Sequence, residues 1–257
     1  MANNYSKPLF VCGFPRSGTT VMSKAIQTLD CYKAPKRKVE GHFTYFFAEI
    51  LQDIELGKIN RASVIEDNEY YDIFKKKLSI FLSDFWREIS NAGENDYWIE
   101  KTPDIRQITA IKQYSEIFPN ALYIYMYRDP ISCILSNIRT WSLSPQLITS
   151  TAERWVESMK EWRKNRNYVR ASYIEIFQNN LRNNLEEEIK KLSNFLNLSD
   201  IEKESLNTFF LENEINISKQ KNLKKTEKKE EYVIEKIVED EILNWPEIIN
   251  YYKINNL

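Results

Sequence analysis

The chain has 257 residues, of which 42% are hydrophobic and 28% are charged, and this length fits one large domain or two small ones with a buried core. Its 36 Lys and Arg residues nearly balance 37 Asp and Glu residues, for a formal net charge of -1. This balance argues against a general nucleic-acid binder, because such proteins usually carry a basic surface. Only five glycines occur, against an ordinary usage of about 7%, so each glycine calls for a structural reason.

The histidine and cysteine counts exclude several kinds of chemistry. His42 is the only histidine, so zinc sites that need two or more histidines are excluded, and a Ser-His-Asp triad could use His42 alone. The cysteines form no Cys-x-x-Cys pair, which favours reduced thiols in a cytoplasmic protein; they are Cys12, Cys31 and Cys133. No apolar run approaches the roughly 20 residues of a membrane span. The first apolar stretch lacks a basic flank and breaks at Gly13, so we expect a strand there and not a signal peptide.

Hydrophobic spacing predicts alternating strands and helices along the chain. The apolar run Leu9–Phe14 predicts a buried first strand, and a helix follows it. Helical spacing continues over residues 67–91, and we expect Gly93 to end that helix. The later strands are predicted at Tyr97–Ile99, Leu122–Tyr127 and Tyr168–Tyr173, and the later helices over 105–118, from Pro130, over 151–166 and over 181–196. Such alternation predicts an α/β fold with a central parallel sheet flanked by helices. We expect a single domain over residues 1–257, with residues 199–257 helical.

A short loop after the first strand has the features of a phosphate-binding loop. The strand runs into Gly13-Phe14-Pro15-Arg16-Ser17-Gly18-Thr19-Thr20, and a helix begins there. Backbone N–H groups and the helix dipole favour an anion at such a place, and Gly18 lets the backbone approach it closely. The pattern resembles the Walker loop and predicts a three-layer fold of the P-loop type, but Thr19 stands where that loop has lysine. ATP and GTP are therefore poor candidates, and Arg16 supplies a cation inside the loop.

A second anion site is predicted at the end of the Leu122–Tyr127 strand. Arg128 follows this strand, Asp129 fits a helix N-cap, and Pro130 fits the first helical position. Ser136 lies seven residues after Asp129, which places it on the same helix face as the cap, so that Arg128 and Ser136 can meet one anion. Ligands of parallel sheets bind at the carboxyl ends of the strands. Two anion sites on strand ends fit a nucleoside with phosphates at both ends.

The two segments together resemble the sulfotransferases that use 3′-phosphoadenosine 5′-phosphosulfate (PAPS). Residues 15–20 are similar to the 5′-phosphosulfate loop of that family, and tyrosylprotein sulfotransferases also carry arginine at the position of Arg16. The resemblance covers residues 8–198 and implies that Arg128 and Ser136 hold the 3′-phosphate. It also implies a nucleotide contact by Tyr173, which follows the pattern of a family strand end only in part. The remaining implied donor contacts are Pro15, Arg16, Ser17, Gly18, Thr19 and Thr20.

Two further segments resemble catalytic parts of the bacterial and heparan sulfate sulfotransferases. Glu40-Gly41-His42-Phe43 is similar to their Glu-x-His-Phe segment, which implies that Glu40 accepts the proton of the acceptor hydroxyl. His42 is the alternative base, since its unperturbed pKa also fits that role. Glu100-Lys101-Thr102-Pro103 is similar to their Glu-Lys-Thr-Pro segment. Lys101 would then join Arg16 in neutralising charge on the sulfonate and on the leaving 3′,5′-bisphosphate (PAP).

The sequence therefore predicts a cytoplasmic, PAPS-dependent sulfotransferase that needs no metal. We expect in-line transfer of the sulfuryl group to a hydroxyl, or as a second choice an amine, of a small-molecule or glycan acceptor. No nucleic-acid partner and no membrane span are expected. Two other functions stay open at this point. A P-loop nucleotide kinase or NTPase would explain the loop but not Thr19, and a non-catalytic module would bind PAP without forming a sulfated product.

Overall fold

A parallel β-sheet forms the centre of the molecule. The structure is a computed structural model that describes residues 7–35, 42–55, 68–213 and 231–238. Within these residues five strands pair in the order β2-β3-β1-β4-β5, and every pairing is parallel. The strands are β1 (Pro8–Gly13), β2 (Tyr32–Lys33), β3 (Tyr97–Lys101), β4 (Leu122–Tyr127) and β5 (Ser172–Phe177). The predicted α/β class with a central parallel sheet is confirmed.

Helices cover both faces of this sheet, as crossover connections between parallel strands require. In chain order they are α1 (Thr19–Ile26), α2 (His42–Glu55), α3 (Asn68–Ser90), α4 (Ile105–Thr109), α5 (Ile111–Ile117), α6 (Pro130–Thr140), α7 (Ile148–Asn165), α8 (Asn180–Asn183), α9 (Leu185–Leu196) and α10 (Asp200–Glu212), followed by α11 over residues 231–238. Helices α1, α9 and α10 pack on one face, and α2 to α7 with α11 pack on the other.

The two hydrophobic clusters follow from the alternation of side chains along the strands. Val11 points into the smaller cluster beside α1, whereas Phe10 points into the larger one. There the Phe10 ring stacks between Tyr114 and Tyr123, with ring centroids 4.8 Å and 5.1 Å away. Aromatic side chains bury large apolar areas and favour such offset contacts. They fasten β1 and β4, which carry the phosphate loop and Arg128, to the helices below them.

Two predicted helix boundaries need correction. The helix predicted over residues 67–91 is α3, but Gly93 does not end it. Asn91 takes the left-handed conformation after the helix, with φ 53°, while the N–H of Gly93 donates to Asp96 Oδ2 at 2.8 Å. The helix predicted over 105–118 is two helices, α4 and α5, which meet at Ala110.

The last strand lies later in the chain than predicted. The sequence pattern favoured Tyr168–Tyr173, whereas the strand is Ser172–Phe177. Residues 166–168 form a short 3-10 helix instead, and Tyr168 is exposed. The strand pairs through its whole length with β4, so this tertiary pairing overrides the local propensity. As a result, residue 178 and not residue 173 stands at the carboxyl end of β5.

Candidate active site

The loop between β1 and α1 takes a conformation that requires glycine at two positions. Gly13 has φ 149°, and a Cβ there would lie 2.5 Å from Ser17 Oγ and 2.7 Å from the Met126 carbonyl oxygen. Gly18 has φ 102° and is the N-cap residue of α1. Side chains rarely tolerate these angles. The first turn of α1 begins directly after Gly18, so its N–H groups, which have no partner within the helix, face the loop.

Arg16 lies at the centre of this loop and connects it to the second predicted anion site. Its φ of 74° is in the left-handed region, a conformation that costs a non-glycine residue free energy and is enriched at functional sites. The guanidinium of Arg128 donates from Nη1 to the Arg16 carbonyl oxygen at 2.9 Å. Arg16 in turn donates from Nε to Ser136 Oγ at 3.2 Å. The structure thus brings Arg16, Arg128 and Ser136 together, although 120 residues separate Arg16 from Ser136.

Helix α6 begins as its sequence predicts and supports the loop from below. Asp129 Oδ2 accepts the Ser132 N–H at 2.7 Å, and Pro130 is the first helical residue. One turn into the helix, the buried Cys133 thiol donates to the Pro15 carbonyl oxygen at 3.3 Å. Burial raises the pKa of Cys133 to about 12, so this thiol stays protonated and can act as a donor. The N-cap therefore sets the position of both Cys133 and Ser136 relative to the loop.

A cavity of about 510 Å³ opens over the loop at the carboxyl ends of the strands. Its lining consists of Pro15, Arg16, Gly18, Thr19, Thr20, Val21, Lys24, Pro103, Arg128, Thr140, Trp141, Gln178, Phe209 and Asn213. Three of these residues are cations, namely Arg16, Lys24 and Arg128, and none of the described lining residues is acidic. Together with the N-terminus of α1, this composition gives the cavity a positive potential that favours an anionic ligand.

The sequence prediction missed part of this lining. Lys24 lies on α1, one turn after Thr20, and the spacing of four residues was a signal that both share a helix face. Trp141 is the C-cap residue of α6 and is 62% exposed, so no core pattern marked it. Phe209 and Asn213 come from the end of α10, far along the chain, and no local pattern could have placed them here.

Tyr173 lies away from the cavity. It is the second residue of β5 and pairs with Tyr123 near the start of β4, whereas the loop and Arg128 are at the other end of the sheet. Its ring is 40% exposed and contacts the edge of Trp162, with centroids 5.5 Å apart. Gln178 is the β5 residue that lines the cavity. The structure therefore does not bring Tyr173 to this cavity, because β5 starts later than the sequence pattern indicated.

Of the catalytic candidates outside the loop, the structure describes Lys101 and the backbone of His42. Lys101 is the last residue of β3 and pairs in register with Val11, two residues before Gly13, so it lies at the same edge of the sheet as the loop. Pro103, two residues later, lines the cavity. His42 is the first residue of α2, and Glu40 lies outside the described residues.

Phosphate-binding α/β proteins share an architecture in which a strand leads through a glycine-bounded loop to a helix N-terminus at the carboxyl edge of a parallel sheet. The site described above has this architecture. Within that class of proteins, the amino-acid sequence matches one family. The model of the sulfotransferase family matches residues 8–202, and the chain belongs to this family. A search of curated proteins gave no match.

Solved structures of sulfotransferases share this fold. A mouse sulfotransferase, SULT7A1, in complex with PAP superposes with a TM-score of 0.58 and 12% identity, over 99% of this chain and 89% of its own. Sulfotransferase STF9 of Mycobacterium avium superposes with a TM-score of 0.56 and 11% identity, over 92% and 77%. The sulfotransferase domain of a Synechococcus olefin synthase gives 0.52 and 17%, over 80% and 78%. At these identities the likeness concerns the fold.

The described residues contain no group of three or more His, Cys, Asp or Glu side chains that could hold a metal ion, and the expectation of a metal-free reaction remains a prediction. None of the helices that they form combines the length and apolar composition needed to cross a lipid bilayer. The cysteines Cys12, Cys31 and Cys133 are all free thiols.

Proposed function

We propose that the protein transfers the sulfuryl group of PAPS to an acceptor hydroxyl and releases PAP. The observation that carries the proposal is the cavity in which Arg16, Lys24 and Arg128 converge over a helix N-terminus without an acidic residue in the described lining. A ligand with anionic groups at two places fits such a site. The PAP complex of the mouse relative supports this choice of nucleotide.

Each anionic group of the donor has a set of residues to bind it. The N–H groups of residues 18–20 and the α1 dipole would hold the 5′-phosphosulfate, while the Ser17 N–H donates to the Phe14 carbonyl oxygen within the loop. Arg128 and Ser136 would hold the 3′-phosphate, because a guanidinium offers paired donors that match phosphate oxygens. In the structure these two side chains bond to Arg16. Binding of the 3′-phosphate would therefore exchange these contacts for contacts with the ligand.

Transfer requires one bond to sulfur to form while another breaks. The acceptor oxygen attacks sulfur, the bond from sulfur to the bridging phosphate oxygen breaks, and the electron pair of that bond leaves with PAP. Arg16, Lys101 and the loop N–H groups would stabilise the charge that develops on the sulfonate and on the leaving phosphate. Glu40 would accept the acceptor proton, with His42 as the alternative base. Like phosphoryl transfer, the reaction depends mainly on positioning and on charge stabilisation.

The acceptor is assigned only by class, as a small molecule or a glycan that carries a hydroxyl, with an amine as the second candidate. The free thiols support a reducing, cytoplasmic location for the reaction. The kinase or NTPase alternative requires a cation for the β- and γ-phosphates, which in the Walker loop is the lysine that Thr19 replaces. We therefore favour PAPS over ATP as the donor.

Ligand-dependent thermal unfolding distinguishes these nucleotides. A ligand that binds only the folded state raises the unfolding temperature, and the stabilisation grows with the logarithm of the ratio of ligand concentration to Kd. We expect stabilisation by PAP, with or without added metal, and none by ATP with Mg²⁺ at the same concentration. Stabilisation by ATP with Mg²⁺ and not by PAP would favour a nucleotide kinase instead.

A further inference from the structure

A carboxyl group that the proposed mechanism does not use lies beneath the candidate active site. Glu100 is the fourth residue of β3, directly before Lys101, and its side chain is fully buried. The described residues give it no ion-pair partner. Burial raises the pKa of the Glu100 carboxyl well above its usual range, and the nearby hydroxyls of Thr44 and Thr102 oppose this effect only in part. Burial thus favours the protonated, neutral form of the Glu100 carboxyl, since an unpaired buried carboxylate is costly.

The Glu100 side chain connects β3 to two helices. Gln107, on α4, donates from Nε2 to Glu100 Oε1 at 3.5 Å, which is a long hydrogen bond. Thr44, on α2, has its hydroxyl beside the carboxyl and is itself fully buried. Oε2 makes no well-formed hydrogen bond within the described residues. The Thr44 hydroxyl can donate to the Glu100 carboxyl, a contact that lowers the pKa of this acid.

Thr44 extends the connection to α3. Its Oγ1 accepts the Trp86 indole N–H at 3.1 Å, and the Trp86 ring stacks on Trp98 of β3, with centroids 5.6 Å apart and planes 4° apart. Glu100, Thr44 and Trp86 thus form a polar chain through an otherwise apolar core. Buried polar networks of this kind make a core rigid and fix the relative positions of the elements that they connect.

Thr44 is in the first turn of α2, two residues after His42 and four residues after Glu40. Lys101 follows Glu100 directly. We propose that Glu100 is a positioning residue, which fixes the first turn of α2 against the end of β3 and so sets the separation between that turn and Lys101. Its effect on turnover rests on the proposed sulfuryl transfer, whereas its effect on α2 does not.

Hydrogen exchange of the α2 backbone tests the contact without any substrate. In Glu100→Leu, which keeps apolar volume but removes the polar connection, we expect exchange in residues 43–47 to accelerate by about tenfold or more. Glu100→Gln, a neutral isostere, should stay within about twofold of the unsubstituted protein. Unchanged exchange in Glu100→Leu would overturn the proposal. If that variant fails to fold, Thr44→Val provides the same test from the other end of the contact.

Glu188 offers a matched control. It is also buried, on α9 across the sheet, where Lys191 Nζ lies 2.7 Å from its Oε1. Glu188→Gln should leave exchange in residues 43–47 unchanged. Combining Thr44→Val with Glu100→Leu should accelerate exchange no more than Thr44→Val alone, since Thr44→Val already breaks the contact with Glu100 as well as the bond from Trp86. Additive effects of the two substitutions would contradict the proposed path through Thr44.

Measurements of turnover and of PAP affinity distinguish a positioning role of Glu100 from a role in donor binding. With radiolabelled PAPS and a panel of phenols, alcohols and amino sugars as probes, Glu100→Leu should lower the transfer rate by about tenfold or more. Its PAP affinity should change by less than about twofold, because the cavity residues are untouched. Equal losses in both would indicate a general structural effect and would overturn the proposal. Failure of the unsubstituted protein to bind PAP would instead contradict the proposed function and leave the exchange test intact.

The pH dependence of the free energy of unfolding tests independently whether the Glu100 carboxyl is protonated in the folded state. A carboxyl with a raised pKa in the folded state stabilises fully below its unfolded pKa, about 4.3, and this stability is lost as pH rises toward the folded pKa. Glu100→Gln removes that loss, so the variant should gain stability over the unsubstituted protein as pH increases. The other groups that face Glu100 are Cys12, Tyr114 and Tyr123, whose own raised pKa values keep them neutral in this range, together with the neighbouring Lys101. A stability difference that does not vary with pH would contradict the assignment.

Discussion

Three residues of the phosphate loop have positive φ angles, at Gly13, Arg16 and Gly18. Positive φ angles occur in loops whose backbone N–H groups form concave anion sites, and this agrees with the proposed donor site. The glycines are required by space, since any Cβ at Gly13 would meet Ser17 and the Met126 carbonyl. Arg16 has no such freedom, and its conformation is maintained by the bond from Arg128 to its carbonyl oxygen. The scarcity of glycine marked the loop correctly in the sequence, whereas the strain at Arg16 had no sequence signal.

Replacing Arg128 tests the assignment of the 3′-phosphate. Arg128→Ala removes a charged donor to the ligand and also the hydrogen bond to the Arg16 carbonyl oxygen. We expect PAP affinity to fall by about 10- to 100-fold, because hydrogen bonds to charged groups contribute about 1.5–3 kcal/mol. Titration calorimetry with PAP measures this change. Arg170→Ala is the control, because Arg170 is exposed and does not line the cavity. Unchanged PAP affinity in Arg128→Ala would show that the anion site is assigned wrongly.

Kinetic measurements distinguish Glu40 from His42 as the base. Glu40→Gln removes the expected base while keeping the size of the side chain, so the transfer rate should fall by about 10²- to 10⁴-fold. The affinity for PAP should stay within about twofold, because Glu40 is not expected to contact the donor. The rate of sulfate transfer from PAPS and the binding of PAP are the two measurements. Activity retained in Glu40→Gln and lost in His42→Ala would assign the base to His42.

At the level of whole elements, helix α6 connects the loop after β1 to the two residues proposed to bind the 3′-phosphate. It begins with Asp129 and Pro130, carries Cys133 against Pro15, and presents Ser136 to Arg16. The start of this helix was predicted correctly because the cap and the proline are local features. β5 was predicted too early because its position depends on pairing with β4. Tyr173, whose nucleotide contact was implied by the family resemblance, consequently lies near the start of β5 and not at its carboxyl end.

Removing the N-cap of α6 should weaken both the helix and the donor site. Asp129→Ala leaves the Ser132 N–H without its partner, and we expect the free energy of unfolding to fall by about 1 kcal/mol. PAP affinity should fall as well, because Ser136 is less firmly placed. Asp129→Asn is the matched control, since asparagine caps helices as well as aspartate does. Urea unfolding checks the first effect. Equal stability of the two variants would contradict the assigned role of the cap.

At the scale of the whole molecule, the cavity is assembled from elements far apart in sequence. Its lining extends from Pro15 to Asn213 and includes α1, the ends of β3 and β5, α6 and α10. The loop and Arg128 were predictable because each follows a strand directly, and the carboxyl ends of parallel strands lie at one edge. Trp141 and Phe209 were not, because only the packing of α6 and α10 brings them there.

Transfer of labelled sulfur from PAPS tests directly whether the protein catalyses sulfuryl transfer. The purified protein is incubated with radiolabelled PAPS and a metabolite extract of the producing cells, and products are separated and weighed by mass spectrometry. We predict that label moves to an acceptor that gains the mass of one SO₃ group, that PAP forms in equal amount, and that Arg128→Ala and Glu40→Gln both suppress the product. PAP binding without any labelled product, in extracts that contain free hydroxyl and amine acceptors, would contradict the account and indicate a binding module.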